Sequence, residues 1–159
     1  MKNKKAQAWG IDLMIALSIF LFGIIAFYLY ALNSPQNQTQ LDSLLYEGSL
    51  VADNLLSEGS PSNWNEGTVT KLGILSNSKI NETKLEMLYN LTESDYPRTK
   101  FILGTKENFF INLSEPITIQ SETIDGIGLS PTDPTNLVRI SRLTIYKNKP
   151  VNLEVYVWK

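Results

Sequence analysis

The sequence predicts an α+β protein in which a long N-terminal helix precedes a small antiparallel β-rich globular domain. Three observations support this fold class. An uncharged apolar segment lies near the N-terminus, apolar residues at helical spacing follow it, and the C-terminal part alternates apolar and polar residues as strands do. The 159 residues are enough for one domain and an appended segment.

The apolar segment, residues 13–32, has the length and composition of a membrane-spanning helix. It contains no charged residue, and about 20 apolar residues are needed to cross a bilayer core. Lys2, Lys4 and Lys5 precede it, and short basic flanks stay on the cytoplasmic side. We therefore expect a single-pass membrane protein whose N-terminus is cytoplasmic and whose C-terminal domain is extracellular.

The residues ahead of this segment, Lys4-Lys5-Ala6-Gln7-Ala8, resemble the class III signal peptide of archaeal type IV pilin-like proteins. The resemblance covers residues 1–30 well and the rest of the chain loosely. It implies that a prepilin peptidase removes the leader, residues 1–6, and that the apolar helix, residues 7–32, stays on the mature subunit. Lys4, Lys5, Ala6 and Gln7 are then the processing residues, and the cut falls between the last two of them.

Asp12 lies at the start of the apolar segment, where a carboxylate is costly. The stretch DLMIALSIF that begins there is similar to the acidic-then-apolar start of bacterial pilins. This similarity implies that Asp12 pairs with the N-terminal amine of a neighbouring subunit during assembly. If the mature chain starts at Gln7, Asp12 is its sixth residue, whereas the family pattern places a glutamate at the fifth. The alternative is a helix-start charge favoured by the macrodipole.

Small residues interrupt the apolar segment at roughly helical spacing, namely Ala16, Ser18, Gly23 and Ala26. Small side chains let helices approach closely in a membrane. We therefore expect Ala16 and Gly23 to act with Asp12 in assembly.

A second helix is predicted after Asn33-Ser34-Pro35, because proline interrupts a helix at this point. The apolar residues recur at helical spacing and stop before Gly59: Leu41, Leu44, Leu45, Val51, Leu55 and Leu56. We assign residues 33–58 to an amphipathic continuation of the long helix and residues 59–159 to the head domain. The pilin resemblance implies that this continuation packs on the head domain.

Local signals predict two short helices and a loop anchor in the head domain. Asn81 is placed to cap a helix that runs to about Asn90. Asp95, Pro97 and Gly104 are typical of the N-cap, first turn and C-terminal stop of the next helix. Trp64 is predicted to anchor its loop on the core.

Strands are predicted after Gly104, in NFFINL, in ITIQSETI and in the final segment VRISRLTIYKNKPVNLEVYVWK. The final segment predicts a hairpin whose turn is Asn148-Lys149-Pro150. Its last strand has one apolar face, which we expect to lie on the helix: Val151, Leu153, Val155 and Val157. The alternation breaks near Ser141-Arg142, which predicts a β-bulge there.

The composition argues against several classes of function. Cysteine and histidine are both absent, so disulfides, thiol catalysis and the commonest general base are excluded. The formal charge of −2 argues against a nucleic-acid partner. Asp125 and Asp133 provide few of the six or more oxygen ligands that calcium needs. We expect no enzymatic activity, no cofactor and no metal.

Four N-glycosylation sequons follow the apolar segment, at Asn37, Asn81, Asn90 and Asn112. All four would lie outside the membrane. The resemblance to archaeal surface filaments, which are frequently glycosylated, favours Asn37 and Asn90 over Asn112, whose strand position is expected to bury it.

The resemblance implies a structural subunit, major or minor, of a type IV pilus-like surface filament that self-associates through its hydrophobic helix. Its partners would be the prepilin peptidase, the pilus assembly machinery and the membrane. Such filaments serve adhesion, motility, DNA uptake or secretion. The alternative is a single-pass surface domain that binds a partner and never polymerises.

Overall fold

The computed structural model describes the backbone of residues 4–33 and 35–159 and the side chains of residues 10–32 and 40–159. The elements in chain order are α1 (Lys4–Asn33), α2 (Pro35–Leu55), β1 (Leu75–Ser76), β2 (Lys79–Ile80), α3 (Glu82–Ser94), α4 (Tyr96–Leu103), β3 (Asn108–Leu113), β4 (Ile117–Ile119), β5 (Glu122–Ile124), β6 (Ile127–Gly128), β7 (Leu137–Tyr146) and β8 (Lys149–Trp158). This architecture confirms the predicted α+β class. The chain divides into two compact units, one ending at Gln40 and the other spanning Leu41–Lys159.

The predicted interruption of the long helix agrees with the helix bounds. Helix α1 ends at Asn33 and α2 begins at Pro35, a position that suits proline because the first helical N–H has no partner to lose. Ser34 itself lies outside the described residues.

The second unit is built on a four-stranded antiparallel sheet with the strand order β6-β3-β8-β7. The predicted inner face of β8 is buried: Val151, Leu153, Val155 and Val157. Four residues of α2 belong to the same core: Leu44, Val51, Ala52 and Leu55. The sequence pattern places Leu41 and Leu45 in this apolar stripe, but both are exposed. The buried face of α2 is therefore narrower than predicted.

Gly48 lies on α2 where this helix crosses the sheet. A Cβ added to Gly48 would lie 3.0 Å from Cγ1 of Ile140 and 3.5 Å from Cγ2 of Val157. Ile140 is on β7 and Val157 is on β8. The missing side chain therefore allows close approach of helix and sheet.

The β-bulge predicted near Ser141-Arg142 is wrong. Strands β7 and β8 pair in one unbroken register from Leu137↔Trp158 to Tyr146↔Lys149. Arg142 occupies an inward position of β7, and its Nε lies 3.5 Å from Oδ1 of Asp53 on α2. This ion pair explains how a charged side chain fits there without a bulge, because a long arginine stem can follow apolar surface to a charged partner.

The predicted hairpin is confirmed, but its turn is Lys147-Asn148 rather than Asn148-Lys149-Pro150. Both turn residues have positive φ, 48° and 62°, which is the backbone conformation that two-residue hairpin turns favour. Pro150 instead pairs with Ile145 in the ladder. Proline is tolerated in β8 because the pairing with β3 extends only to Leu153, which leaves the other side of Pro150 without a strand neighbour.

The local helix predictions are confirmed. The Oδ1 of Asn81 accepts a hydrogen bond from the Lys84 N–H at 3.2 Å, and α3 continues to Ser94. Asp95 caps α4 by accepting from the Arg98 N–H at 3.0 Å. Gly104 ends α4 with φ 81°, a left-handed conformation that glycine adopts readily.

The loop between α2 and β1 is fixed by two buried side chains. The indole of Trp64 is buried, and its Nε1–H donates to the Gly73 carbonyl at 2.8 Å, so its prediction as a loop anchor is confirmed. The Lys84 ammonium donates to the carbonyls of Glu58 and Leu75, each at 2.8 Å. The first of these contacts holds α3 against the loop, and the second holds it against β1.

Candidate membrane and assembly segment

Helix α1 contains the apolar segment that the sequence predicts to enter a membrane. Residues Gly10–Leu32, 23 in all, are long and apolar enough to cross a bilayer. At 1.5 Å per residue, they extend about 34 Å, compared with about 30 Å for a hydrocarbon core.

The apolar side chains of this segment are exposed throughout. The large ones range from 48% exposed at Ile24 to 75% at Phe22, and none of residues 10–32 is buried. Burying one such side chain stabilises a protein by about 1.5–3 kcal/mol. The segment therefore presents a surface that is stable in lipid or against other apolar helices.

The three predicted assembly residues lie on one face of α1. Because each helical residue turns by about 100°, Asp12, Ala16 and Gly23 fall within an arc of about 40°. Ala26 lies at the edge of the face that these three residues share. Ser18 lies off it, and its hydroxyl donates to the Met14 carbonyl at 2.8 Å, so the stripe of small residues is narrower than the sequence spacing indicates.

Gly23 has open space around its Cα, and Asp12 forms no ion pair with another described residue. A Cβ added at Gly23 would meet nothing within 4 Å. Asp12 is exposed, and none of the ion pairs between described residues includes it. Packing among residues 10–32 therefore explains neither residue.

The predicted processing residues lie in the first turns of α1. Lys4, Lys5, Ala6 and Gln7 have helical backbone, but their side chains are outside the described residues. The cut between Ala6 and Gln7 stays a prediction.

The sequons occupy different environments. Asn37 lies in α2, with its side chain outside the described part. The Nδ2 of Asn81 donates to the Ser76 hydroxyl at 3.2 Å, which occupies the amide that glycosylation would modify. Asn90 and Asn112 are half-buried, on α3 and β3 respectively.

Several polar residues that organise the head domain were not singled out from the sequence. Glu47 on α2 accepts hydrogen bonds from the Thr105 hydroxyl at 2.7 Å and from the Lys106 N–H at 3.1 Å. The hydroxyl of Tyr96 bonds to the backbone of Phe109. These contacts join residues 13 to 59 positions apart in sequence, so no local spacing signals them.

The described residues contain no group of three or more His, Cys, Asp or Glu side chains that could hold a metal ion. No family model, curated protein or solved structure is significantly similar to the chain.

Proposed function

We propose that this protein is a structural subunit of a type IV pilus-like surface filament. After removal of residues 1–6, the apolar helix would leave the membrane and pack against the same helix of other subunits. The second unit, Leu41–Lys159, in which α2 packs on the head domain, would be displayed outside the cell.

The observation that carries this proposal is the exposed apolar helix with Asp12, Ala16 and Gly23 on one face. A lipid anchor needs only apolar residues, so it does not require a face that combines an acidic residue with small ones. Small residues allow close helix contact. The basic sequence before the helix supplies the processing signal that the family resemblance implies.

Asp12 would direct subunit entry through its charge. A carboxylate costs about 2.5–3.5 kcal/mol at the centre of a membrane helix and less near its end, where Asp12 lies, and a paired cation offsets such a cost. Cleavage before Gln7 creates an amine, which is a cation absent from that position in the uncut chain. Processing and assembly would thus be coupled through one ion pair between neighbouring subunits.

The processing step is tested by mass spectrometry of the N-terminal peptide from membrane-extracted protein, in cells that contain prepilin peptidase. We expect the mature chain to begin at Gln7. Ala6→Leu should abolish shortening, and Ala8→Leu, two residues beyond the cut bond, serves as the matched control. Normal shortening of Ala6→Leu would refute the assigned cut site, and a chain that begins at Met1 would refute processing.

The assembly step is tested with Asp12→Asn, which keeps the side-chain size and removes the charge. We expect normal processing but a loss of at least tenfold in protein recovered in sheared surface filaments. Asp42→Asn, an exposed change on α2, controls for the loss of one negative charge. Filaments of normal abundance containing Asp12→Asn would show that the carboxylate is not the assembly contact.

A non-polymerising, membrane-anchored surface domain is the second candidate. The observation that favours it is the position of Asp12, one residue later than the acid of the family pattern if Gln7 begins the mature chain. In that case Asp12 would be a charge at the membrane surface. An unprocessed N-terminus together with absence from filaments would select this function.

A further inference from the structure

A cleft lies at the hairpin end of the sheet, beside the turn between β7 and β8. Its volume is about 240 Å³, smaller than the pockets of about 300–1,000 Å³ that hold drug-sized ligands. The lining residues are Glu115, Pro116, Thr118, Tyr146, Lys147 and Lys149. A ligand here would be small.

Tyr146 in the wall of this cleft has an unsatisfied polar group. The residue is 2% exposed, and its buried hydroxyl has no hydrogen-bond partner among the described residues. Native proteins satisfy nearly all buried polar groups. A ligand oxygen in the cleft would provide a partner once the side chains that cover this hydroxyl move aside, because the hydroxyl itself exposes less than 1 Å².

The charges around the cleft favour an anion. The Lys147 ammonium lies 4.9 Å from the centroid of the Tyr146 ring, and Lys149 lines the same cleft. A third lysine, Lys79, is not among the lining residues, but it donates to the side-chain oxygen of the turn residue Asn148 at 2.9 Å. Within the described part of the chain, none of these lysines forms an ion pair.

Glu115 is the one carboxylate among the lining residues. It leaves an excess of positive charge, which attracts negatively charged ligands.

We propose that this hairpin-end cleft binds a small organic anion about the size of one sugar ring. Lys147 and Lys149 contact its carboxylate or phosphate group, and the Tyr146 hydroxyl bonds to one of its oxygens. Charge-assisted hydrogen bonds from ammonium groups are the strong contacts in such a site. The inference does not depend on filament assembly.

The test uses three ligands with the same ring, namely glucuronate, glucose 6-phosphate and glucose. The full chain, in an uncharged polyoxyethylene detergent at low ionic strength, is titrated while the amide NMR signals of residues 115–118 and 146–149 are followed. We expect saturable shifts with at least one anion and none with glucose. A response to one anion identifies a carboxylate or a phosphate as the recognised group.

Two outcomes of this titration would overturn the proposal. One is the absence of saturable shifts with both anions up to about 10 mM, a concentration at which even a weak site is partly filled. The other is an equal response to neutral glucose, which would remove the role of charge.

Variants separate binding from folding. The double variant Lys147→Gln, Lys149→Gln should weaken binding at least about tenfold, whereas Lys106→Gln, in the loop after α4, should bind as the wild type does. Tyr146→Phe should weaken binding several-fold without lowering the thermal unfolding temperature, because it removes a buried hydroxyl that has no protein partner. Wild-type affinity in the lysine double variant would refute the site, and wild-type affinity in Tyr146→Phe would refute the hydroxyl contact.

Discussion

At the scale of single residues, Tyr96 links helix α4 to the central sheet. Its hydroxyl accepts a hydrogen bond from the Phe109 N–H at 2.9 Å and donates to the Phe109 carbonyl at 3.3 Å. The two rings stack with centroids 5.0 Å apart. Phe109 is fully buried on β3, so loss of the tyrosine hydroxyl would leave its N–H without this partner.

Replacing Tyr96 by phenylalanine should therefore lower the free energy of unfolding by about 1–2 kcal/mol, the cost of a buried backbone group that loses its partner. Urea unfolding of the full chain in detergent measures this change. Tyr89→Phe on α3 is the matched control, since Tyr89 forms no side-chain hydrogen bond that the structure describes. Equal stability of wild type and Tyr96→Phe would contradict the structural role of the hydroxyl.

The titration of Tyr96 should make the free energy of unfolding depend on pH in alkaline solution. Burial raises the pKa of Tyr96 above its ordinary value, against the lowering effect of backbone hydrogen bonds. Because the pKa of Tyr96 is higher in the folded state than in the unfolded state, the stability that its neutral hydroxyl contributes is fully present below about pH 10. This stability is lost as the pH rises through the folded-state pKa. The wild type should therefore lose more stability than Tyr96→Phe above about pH 10.

The comparison with Tyr96→Phe is needed because a second tyrosine titrates in the same direction. A hydrogen bond to Glu154 raises the pKa of Tyr156, and both proteins share this group. Parallel loss of stability in the two proteins would show that Tyr96 is not the titrating group.

At the scale of elements, the sequence predicts what neighbouring residues determine. Asn81, Asp95 and Gly104 define helix ends through hydrogen bonds and backbone angles within a few residues, so their identity and spacing were sufficient. The alternation of β8 likewise predicted its buried face. The prediction of a bulge near Arg142 was wrong for the opposite reason. The partner of Arg142 is Asp53, which lies on an element far away in sequence.

The candidate sites divide in the same way. The composition and order of residues 4–32 indicated a membrane segment with Asp12, Ala16 and Gly23, but the narrow face that they share follows from the helix geometry. The hairpin-end cleft could not be predicted, because Glu115 and Lys149 line the same cleft only after β3 and β8 have paired.

The close approach of α2 to the sheet depends on the absence of a side chain at Gly48. Gly48→Val would place methyl groups where a Cβ alone already lies 3.0 Å from Ile140. We expect a loss of about 1–3 kcal/mol in the free energy of unfolding, typical of overpacking, although valine has the higher helix propensity. Ser43→Val, at an exposed position of α2, should change stability by less than about 0.5 kcal/mol. Similar effects of both substitutions would exclude helix–sheet packing as the cause.

At the scale of the whole molecule, the chain has two kinds of apolar surface in separate segments. Every buried apolar side chain among the described residues lies between Leu44 and Trp158. The apolar side chains of residues 10–32 are exposed without exception. Folding of the head domain thus draws on one set of residues, and membrane insertion or assembly would draw on the other.

A chain that begins at Leu41 should therefore fold without the apolar helix. It keeps the whole described core, including Leu44, Val51 and Leu55 on α2, and loses the exposed apolar side chains of residues 10–32. We expect a monomer in detergent-free buffer, by size-exclusion chromatography with light scattering, with a cooperative unfolding transition.

A second truncation, beginning at Gly59, makes this prediction sharper. It removes the α2 side chains that cover the inner face of β8, so it should aggregate or unfold non-cooperatively even though the entire sheet is retained. If the chain from Leu41 also failed to fold, residues before Leu41 would have to contribute to the core. If the chain from Gly59 folded as well, the stability of the head domain would not depend on α2, and the sheet with α3 and α4 would fold alone.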